Sequence, residues 1–174
     1  MDKEAIASLL EEKNSQLITW IERQPLENWT LGPSGKWTTG QHALHLLQSI
    51  KPVNDALSIP KFLLRFMFGT CNRPVHDYDT VAKHYLEQLD EHKDFIYKPS
   101  RNMKVPSNND KKYLLDRLQV ESKKLQYKTL KMSEKDLDTL ALPHPLMGKM
   151  PVRELLQWTA YHIEHHSKNL QENY

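Results

Sequence analysis

Residues Trp158–Leu170 read W-T-A-Y-H-I-E-H-H-S-K-N-L and decide the fold of this chain. The stretch has no Gly or Pro, and Leu156 and Ile163 mark an apolar stripe at helical spacing, so it predicts an amphipathic helix. At about 100° per residue, His162 and His166 lie about 40° apart on the flank of that stripe. Two imidazoles at i and i+4 can share one metal ion. A catalytic zinc-type site usually takes three protein ligands, so the pattern predicts a third elsewhere in the chain.

Helical patterning also dominates the rest of the sequence. We predict four long helices, over about residues 2–23, 39–57, 110–132 and 151–171, and no strand with convincing alternation. Thr38, followed three residues later by Gln41, matches a capping box at the start of the second helix. Four such stripes are buried most simply in an all-α four-helix bundle, formed by residues 1–174 as a single domain. The long connection over residues 58–109 favours at least one crossover.

Bulk composition limits the classes of partner and compartment. The 24 basic and 22 acidic residues leave a net charge of only +2, so no electrostatic footprint for nucleic acid is present. The single cysteine, Cys71, excludes an intramolecular disulfide framework. The charged N-terminus lacks the apolar core of a signal peptide, and no apolar run is long enough for a bilayer. We therefore expect a cytoplasmic protein without a membrane partner. Bundles of this size often form homodimers, although no stripe identifies an interface.

The second helix offers two candidates for the third ligand, His42 and His45. They are i,i+3 neighbours on one flank of the apolar stripe, and the site needs only one of them. Helical-wheel position slightly favours His42, which lies nearer to the Leu46 side of the stripe. Geometry alone does not choose between the two. The alternative hypothesis is that these histidines lie partly exposed on polar helix flanks and bind no metal.

Other polar residues have weaker claims on the site. His144 lies between two prolines just ahead of the histidine helix, where it either lines the mouth of a cleft or packs within its loop. His165 and His144 are candidates for proton transfer. Glu121 is a candidate to orient a ligand histidine, although a position at the edge of its helix is the more common case. Three further histidines are expected on the surface: His76, His84 and His92.

Three features together resemble the DinB/YfiT-like family of metalloenzymes. The first is Trp37-Thr38 at the start of the second helix, with His45 eight residues after the tryptophan. The second is the turn H-P-L-M-G over His144–Gly148, and the third is the H-x-x-H-H run over His162–His166. The resemblance covers the chain from residue 37 to its end. It implies a four-helix bundle with an unusual crossover and a divalent metal ion held by His45, His162 and His166.

The resemblance also implies a class of reaction. Better understood members of the family are hydrolases, or transferases and isomerases that act on low-molecular-weight thiols. We therefore expect a metal-dependent enzyme with a small-molecule substrate, with thiol transfer slightly ahead of hydrolysis. Three imidazoles suit Zn, Ni, Fe or Mn and do not choose among them. The alternative function is a non-catalytic bundle, with a structural metal or none, that serves as a binding or stress-associated module.

Overall fold

Four long helices and a small hairpin make up the fold in the computed structural model, which describes residues 1–174. The all-α four-helix bundle predicted from the sequence is confirmed. The shorter segments lie between the second and fourth of the long helices. In chain order the elements are α1 (Lys3–Arg23), α2 (Thr39–Ala56), α3 (Lys61–Phe68), α4 (Tyr78–Glu91), α5 (Lys111–Lys131), α6 (Glu134–Thr139), β1 (Ala141–His144), β2 (Gly148–Pro151) and α7 (Val152–Asn173).

The core is formed where the apolar stripes of the long helices meet. Each stripe follows the spacing seen in the sequence, so burial rather than helix propensity stabilises these helices. The buried polar residues include the histidines of α2 and α7, together with Asn14 of α1, Glu121 of α5 and Gln157 of α7. None of the helices is both long enough and apolar enough to span a membrane. Representative buried residues are Ile6, Leu10 and Leu17 of α1, Leu46 and Ile50 of α2, Leu118 and Leu125 of α5, and Leu156 and Ile163 of α7.

The bundle does not follow a simple up-and-down order. Helix α1 packs against α5 and α7, and α2 packs against the same two helices. Helices α1 and α2 therefore lie diagonally across the bundle although they are consecutive long helices. The connection from α2 to α5 carries α3 and α4, and α4 packs against the outside of α7. The crossover expected from the long connection is consistent with this arrangement, which places α2 beside α7.

The start of α2 is fixed by local hydrogen bonds. The Gln41 backbone N–H donates to Thr38 Oγ1, and the Thr38 N–H donates to Gln41 Oε1, each at 3.1 Å. This confirms the predicted capping box. Gly40 lets the first turn pack closely on Trp29, since a Cβ at this position would lie 2.6 Å from the Trp29 carbonyl oxygen. The helix thus enters the bundle in a defined register, which sets the directions of His42 and His45.

The prediction that the chain has no strand is wrong just ahead of α7. Strands β1 and β2 pair antiparallel, with His144 opposite Gly148 at the tight end. Each strand has only four residues, too few for alternation to be visible in the sequence. Gly148 has φ of +70°, a conformation that other residues rarely adopt. The hairpin holds His144 against the first half of α7.

Candidate metal centre

Helices α2 and α7 bring three histidine rings to one point inside the bundle. His162 and His166 lie one turn apart on α7, and His45 faces them from α2. The Nε2 atom of His162 lies 3.1 Å from Nε2 of His45 and 3.1 Å from Nε2 of His166. The ligand nitrogens of the three rings all lie within 4.8 Å of one another. These are the three residues that the resemblance implies.

The edge of each ring that carries Nδ1 faces away from this centre and lies near a polar side chain. His45 Nδ1 lies 2.7 Å from Ser100 Oγ, and His166 Nδ1 lies 2.8 Å from His42 Nδ1. His162 Nδ1 lies 3.4 Å from Ser49 Oγ, whose hydroxyl donates to the Leu46 carbonyl and so keeps a lone pair free for the ring N–H. His42 therefore belongs to the periphery of the cluster. The slight preference of the helical wheel for His42 as a ligand does not match its position.

Ser100 reaches the cluster from the connection between α4 and α5. This segment is tied to α2, because the Gln41 side-chain amide donates to the Met103 carbonyl oxygen at 3.1 Å. The Tyr97 hydroxyl also donates to the carbonyl of Gln48 in α2, and its ring meets His45 edge-on. Sequence reasoning missed Ser100 altogether. It lies in a loop 55 residues from His45, and no local pattern signals the contact.

Burial keeps the clustered rings neutral. The pKa of His45 is lowered to about 4, mainly by burial and further by the nearby His165. Burial likewise lowers the pKa values of His162 and His166 well below their ordinary range, and the neighbouring histidines add to the effect. Protonation would place positive charges next to one another in a poorly solvated space. At neutral pH each ring therefore offers a lone pair on one nitrogen.

Two tryptophans pack against the histidine cluster. The Trp37 ring lies 5.0 Å from the His45 ring and stacks parallel to His166 with centroids 6.1 Å apart. Trp158 stacks on His162 at 4.7 Å, one turn earlier on α7. Flat apolar surfaces thus fix the ring planes and limit access of water to the cluster. Trp37, which marks the resemblance in the sequence, is part of the site.

A cavity of about 460 Å³ opens beside the cluster. Its wall includes His45, His162 and His166, so the rings are accessible to a small molecule. His144 and His165 also line this cavity, which agrees with a place for His144 at the cleft. The His144 ring packs edge-on against Trp158 at 4.2 Å. Burial lowers the pKa of His144 to about 4.

The remaining polar candidates lie away from the cluster. Glu121 of α5 accepts hydrogen bonds from Asn54, Arg117 and Lys124, and it orients none of the three rings. Burial opposes its charge, but these bonds keep the pKa of Glu121 below its ordinary value. Glu121 thus joins α2 and α5 through hydrogen bonds and takes no part in the histidine cluster. The three histidines expected on the surface are exposed: His76, His84 and His92.

Comparison with known proteins supports the fold. No known protein-family model matches the sequence, and no curated protein matches it. Among solved structures, the chain is similar to YfiT from Bacillus subtilis, which is described as a probable metal-dependent hydrolase with an unusual four-helix bundle topology. The two chains superpose with a TM-score of 0.61 at 19% identity, over 98% of this chain and 84% of YfiT. The DinB/YfiT-like bundle predicted from sequence features is therefore confirmed as the fold.

The donor set suits a divalent cation. Ser100, Ser49 and His42 can each accept a hydrogen bond from the Nδ1–H of one ring, which leaves the three Nε2 lone pairs free to face a common centre. Nitrogen ligands of a tetrahedral zinc ion, at about 2.0–2.1 Å from the metal, lie about 3.3–3.4 Å apart. The separations of 3.1 Å are close to this value. Three lone pairs without a proton between them repel, and a cation relieves that repulsion.

Proposed function

We propose that this protein is a metal-dependent hydrolase of a small molecule, with a divalent cation held by His45, His162 and His166. The observation that carries the proposal is the convergence of three Nε2 atoms on the wall of a cavity of about 460 Å³. YfiT, which shares the fold, is described as a probable metal-dependent hydrolase. For this reason we propose hydrolysis ahead of the thiol transfer that the family resemblance favoured, and thiol transfer stays a prediction.

The bound cation would supply Lewis acidity, which polarises a scissile carbonyl and lowers the pKa of water. The residues of the chain prepare the site for this chemistry. Ser100, Ser49 and His42 hold the ring edges that face away from the centre, and such partners fix the orientation and raise the basicity of ligand histidines. Three protein ligands leave one coordination position for water or substrate. The cavity next to the rings favours this open arrangement over a closed structural site.

His144 is the side chain best placed to donate a proton or hydrogen bond to the substrate. Its Nδ1 atom accepts the backbone N–H groups of Leu146 and Met147 at 3.2 and 3.0 Å, so the ring proton resides on Nε2. Both hydrogen bonds of the ring involve Nδ1, which leaves Nε2 for a ligand, and the residue lines the cavity. The hairpin therefore presents a neutral N–H donor to a developing negative charge on a substrate oxygen. His165 also lines the cavity, and its ring is more exposed.

Metal analysis with paired variants tests the proposal. Purified protein loaded with Zn, Ni, Fe(II) or Mn should retain about one ion per chain after dialysis, and His162→Ala should retain none. His84→Ala is the matched control, because His84 is exposed on α4. The loaded protein should also hydrolyse uncharged aryl esters faster than the His162→Ala variant. Full metal retention by folded His162→Ala protein would overturn the proposed ligand set. Absence of hydrolysis with full loading would leave the non-catalytic function in place.

A further inference from the structure

We propose that the substrate of this site has an uncharged, mainly apolar body. The inference rests on the proposed function, and the composition of the cavity wall carries it. The cavity is lined by 23 residues, and none of them is Lys, Arg, Asp or Glu. Charged residues make up 26% of the chain, so their absence from so large a wall is informative. The cavity wall therefore offers no charged side chain to a ligand.

Apolar side chains from several separate parts of the chain form this wall. Val53 of α2 and Leu89 of α4 face the cavity, together with Ile96 from the following loop. The hairpin adds Leu142, and α7 adds Leu155 and Trp158. The polar side-chain groups among the lining residues are hydroxyls, imidazoles and the indole N–H groups of two tryptophans, and none is ionised at neutral pH. A ligand in this space therefore exchanges water for hydrocarbon over most of its surface, at about 25 cal/mol per Å² of apolar area.

Basic side chains near the hairpin face another part of the surface. Arg73 and Lys149 line a separate, smaller cavity of about 220 Å³. There the Arg73 guanidinium is paired with the Glu154 carboxylate through two hydrogen bonds of 2.6 and 2.7 Å. These cations are therefore not available to neutralise an anionic ligand at the histidine cluster. Apart from the proposed metal ion, an anionic ligand in the larger cavity would meet no positively charged side chain.

The energetic consequence is selection by charge. One anionic group of a ligand can be balanced by the cation at the cluster, but a second charge further along the ligand meets no charged side chain in the wall. Burial of an ionised group without a partner costs far more than burial of a hydroxyl. Small peptide-like thiols carry carboxylates away from the sulfur and are poorly suited to this space. Neutral esters, amides or thiols with a hydrocarbon body fit it.

A matched thiol series tests the inference on the zinc-loaded full-length protein. Hexanethiol, mercaptohexanol, mercaptohexanoate and aminohexanethiol share one metal-binding group and differ at the distal end. Calorimetry should show that the two uncharged thiols bind about tenfold or more tightly than either charged thiol. Equal affinity for mercaptohexanoate and mercaptohexanol would overturn the proposal.

Charge insertion provides the second arm of the experiment. Val53→Lys should raise the affinity for mercaptohexanoate relative to mercaptohexanol by about tenfold, because it gives the carboxylate a partner in the wall. Val120→Lys is the matched control, since Val120 is exposed on α5 outside the cavity, and it should leave the ratio unchanged. Leu89→Lys, at a half-buried position, replaces Val53→Lys if that variant does not fold. An unchanged ratio in a folded cavity variant would contradict the proposal.

The two proposals fail in different ways. If the protein retains no metal, displacement of the neutral dye Nile red from the metal-free protein by hexanol and by hexanoate still measures the charge preference of the cavity. Preference for hexanol without metal binding would support the apolar cavity and overturn the metal site. Metal binding without any preference for hexanol would support the metal site and overturn the proposal of an apolar substrate.

Discussion

Nδ1 of His42 lies 2.8 Å from Nδ1 of His166, on the edge of the His166 ring that faces away from the cluster. This contact separates the roles of the two histidines on α2, because His45 presents Nε2 to the centre and His42 supports a ligand from outside. We predict that His45→Ala abolishes metal binding, whereas His42→Ala lowers the affinity about 10–100-fold.

Competition titration with a zinc-chelating dye measures both effects in this pair. His84→Ala serves as the control for loss of an exposed imidazole. The variant that loses more zinc affinity identifies the ligand. A larger loss from His42→Ala than from His45→Ala would reverse the assignment.

The hydroxyl of Ser100 fixes the His45 ring at 2.7 Å and leads to a second prediction. Ser100→Ala removes the acceptor for the Nδ1 proton, so the ring loses its preferred tautomer and orientation. We expect the zinc affinity to fall about tenfold or more, with little change in helix content. Ser167→Ala is the matched control, because the Ser167 hydroxyl bonds only to the Ile163 carbonyl within α7. Equal zinc affinity in Ser100→Ala and Ser167→Ala would show that Ser100 does not orient the ring.

The helices were predictable because each carries its own signal. The apolar period of Trp158–Leu170 and the capping box at Thr38 depend on residues close in sequence, and helix boundaries followed to within a few residues. The hairpin was missed because its strands are too short to show alternation. Its stabilising contacts, such as the Val152 N–H to the Leu140 carbonyl, follow from packing.

The site was predictable only in part, because some of its residues are related within one helix and others only by the packing of two helices. His162 and His166 are recognisable because one helical turn relates them. The choice between His42 and His45 depends on how α2 is rotated against α7, which the packing of Gly40 on Trp29 helps to set. A wheel drawn for one helix contains no information about that rotation. The resemblance to the DinB/YfiT-like family indicated His45 instead.

Close packing of Gly40 against Trp29 makes a prediction about stability. In an exposed helix Gly→Ala stabilises by about 1 kcal/mol. Here the new Cβ would lie 2.6 Å from the Trp29 carbonyl oxygen and 2.9 Å from its indole ring, so overlap outweighs the gain. We expect Gly40→Ala to lower the free energy of unfolding by about 1–3 kcal/mol, measured in urea. Glu22→Ala, at an exposed position in α1, controls for the change to alanine. Stabilisation by Gly40→Ala would contradict the packing.

The ion pair between exposed Arg73 and buried Glu154 predicts how stability depends on pH. Burial alone would raise the pKa of Glu154, but hydrogen bonds from Arg73 and from the His76 backbone N–H hold it below its ordinary value. A carboxyl whose pKa is lower in the folded state stabilises the protein above its unfolded pKa of about 4.3. That contribution is lost as the pH falls through the folded pKa.

Replacement of Arg73 by alanine should therefore matter more at neutral pH than in acid. The Glu154 side chain is 3% exposed in the wild-type protein, and the variant removes its bidentate partner, so we expect the variant to be about 1–3 kcal/mol less stable at pH 7. Below about pH 4 the difference should narrow, because protonation of Glu154 removes the buried charge in both proteins. Urea unfolding over this pH range measures the difference, with exposed Arg23→Ala as the matched control. A difference that stays constant with pH would mean that the ion pair does not cause the loss of stability.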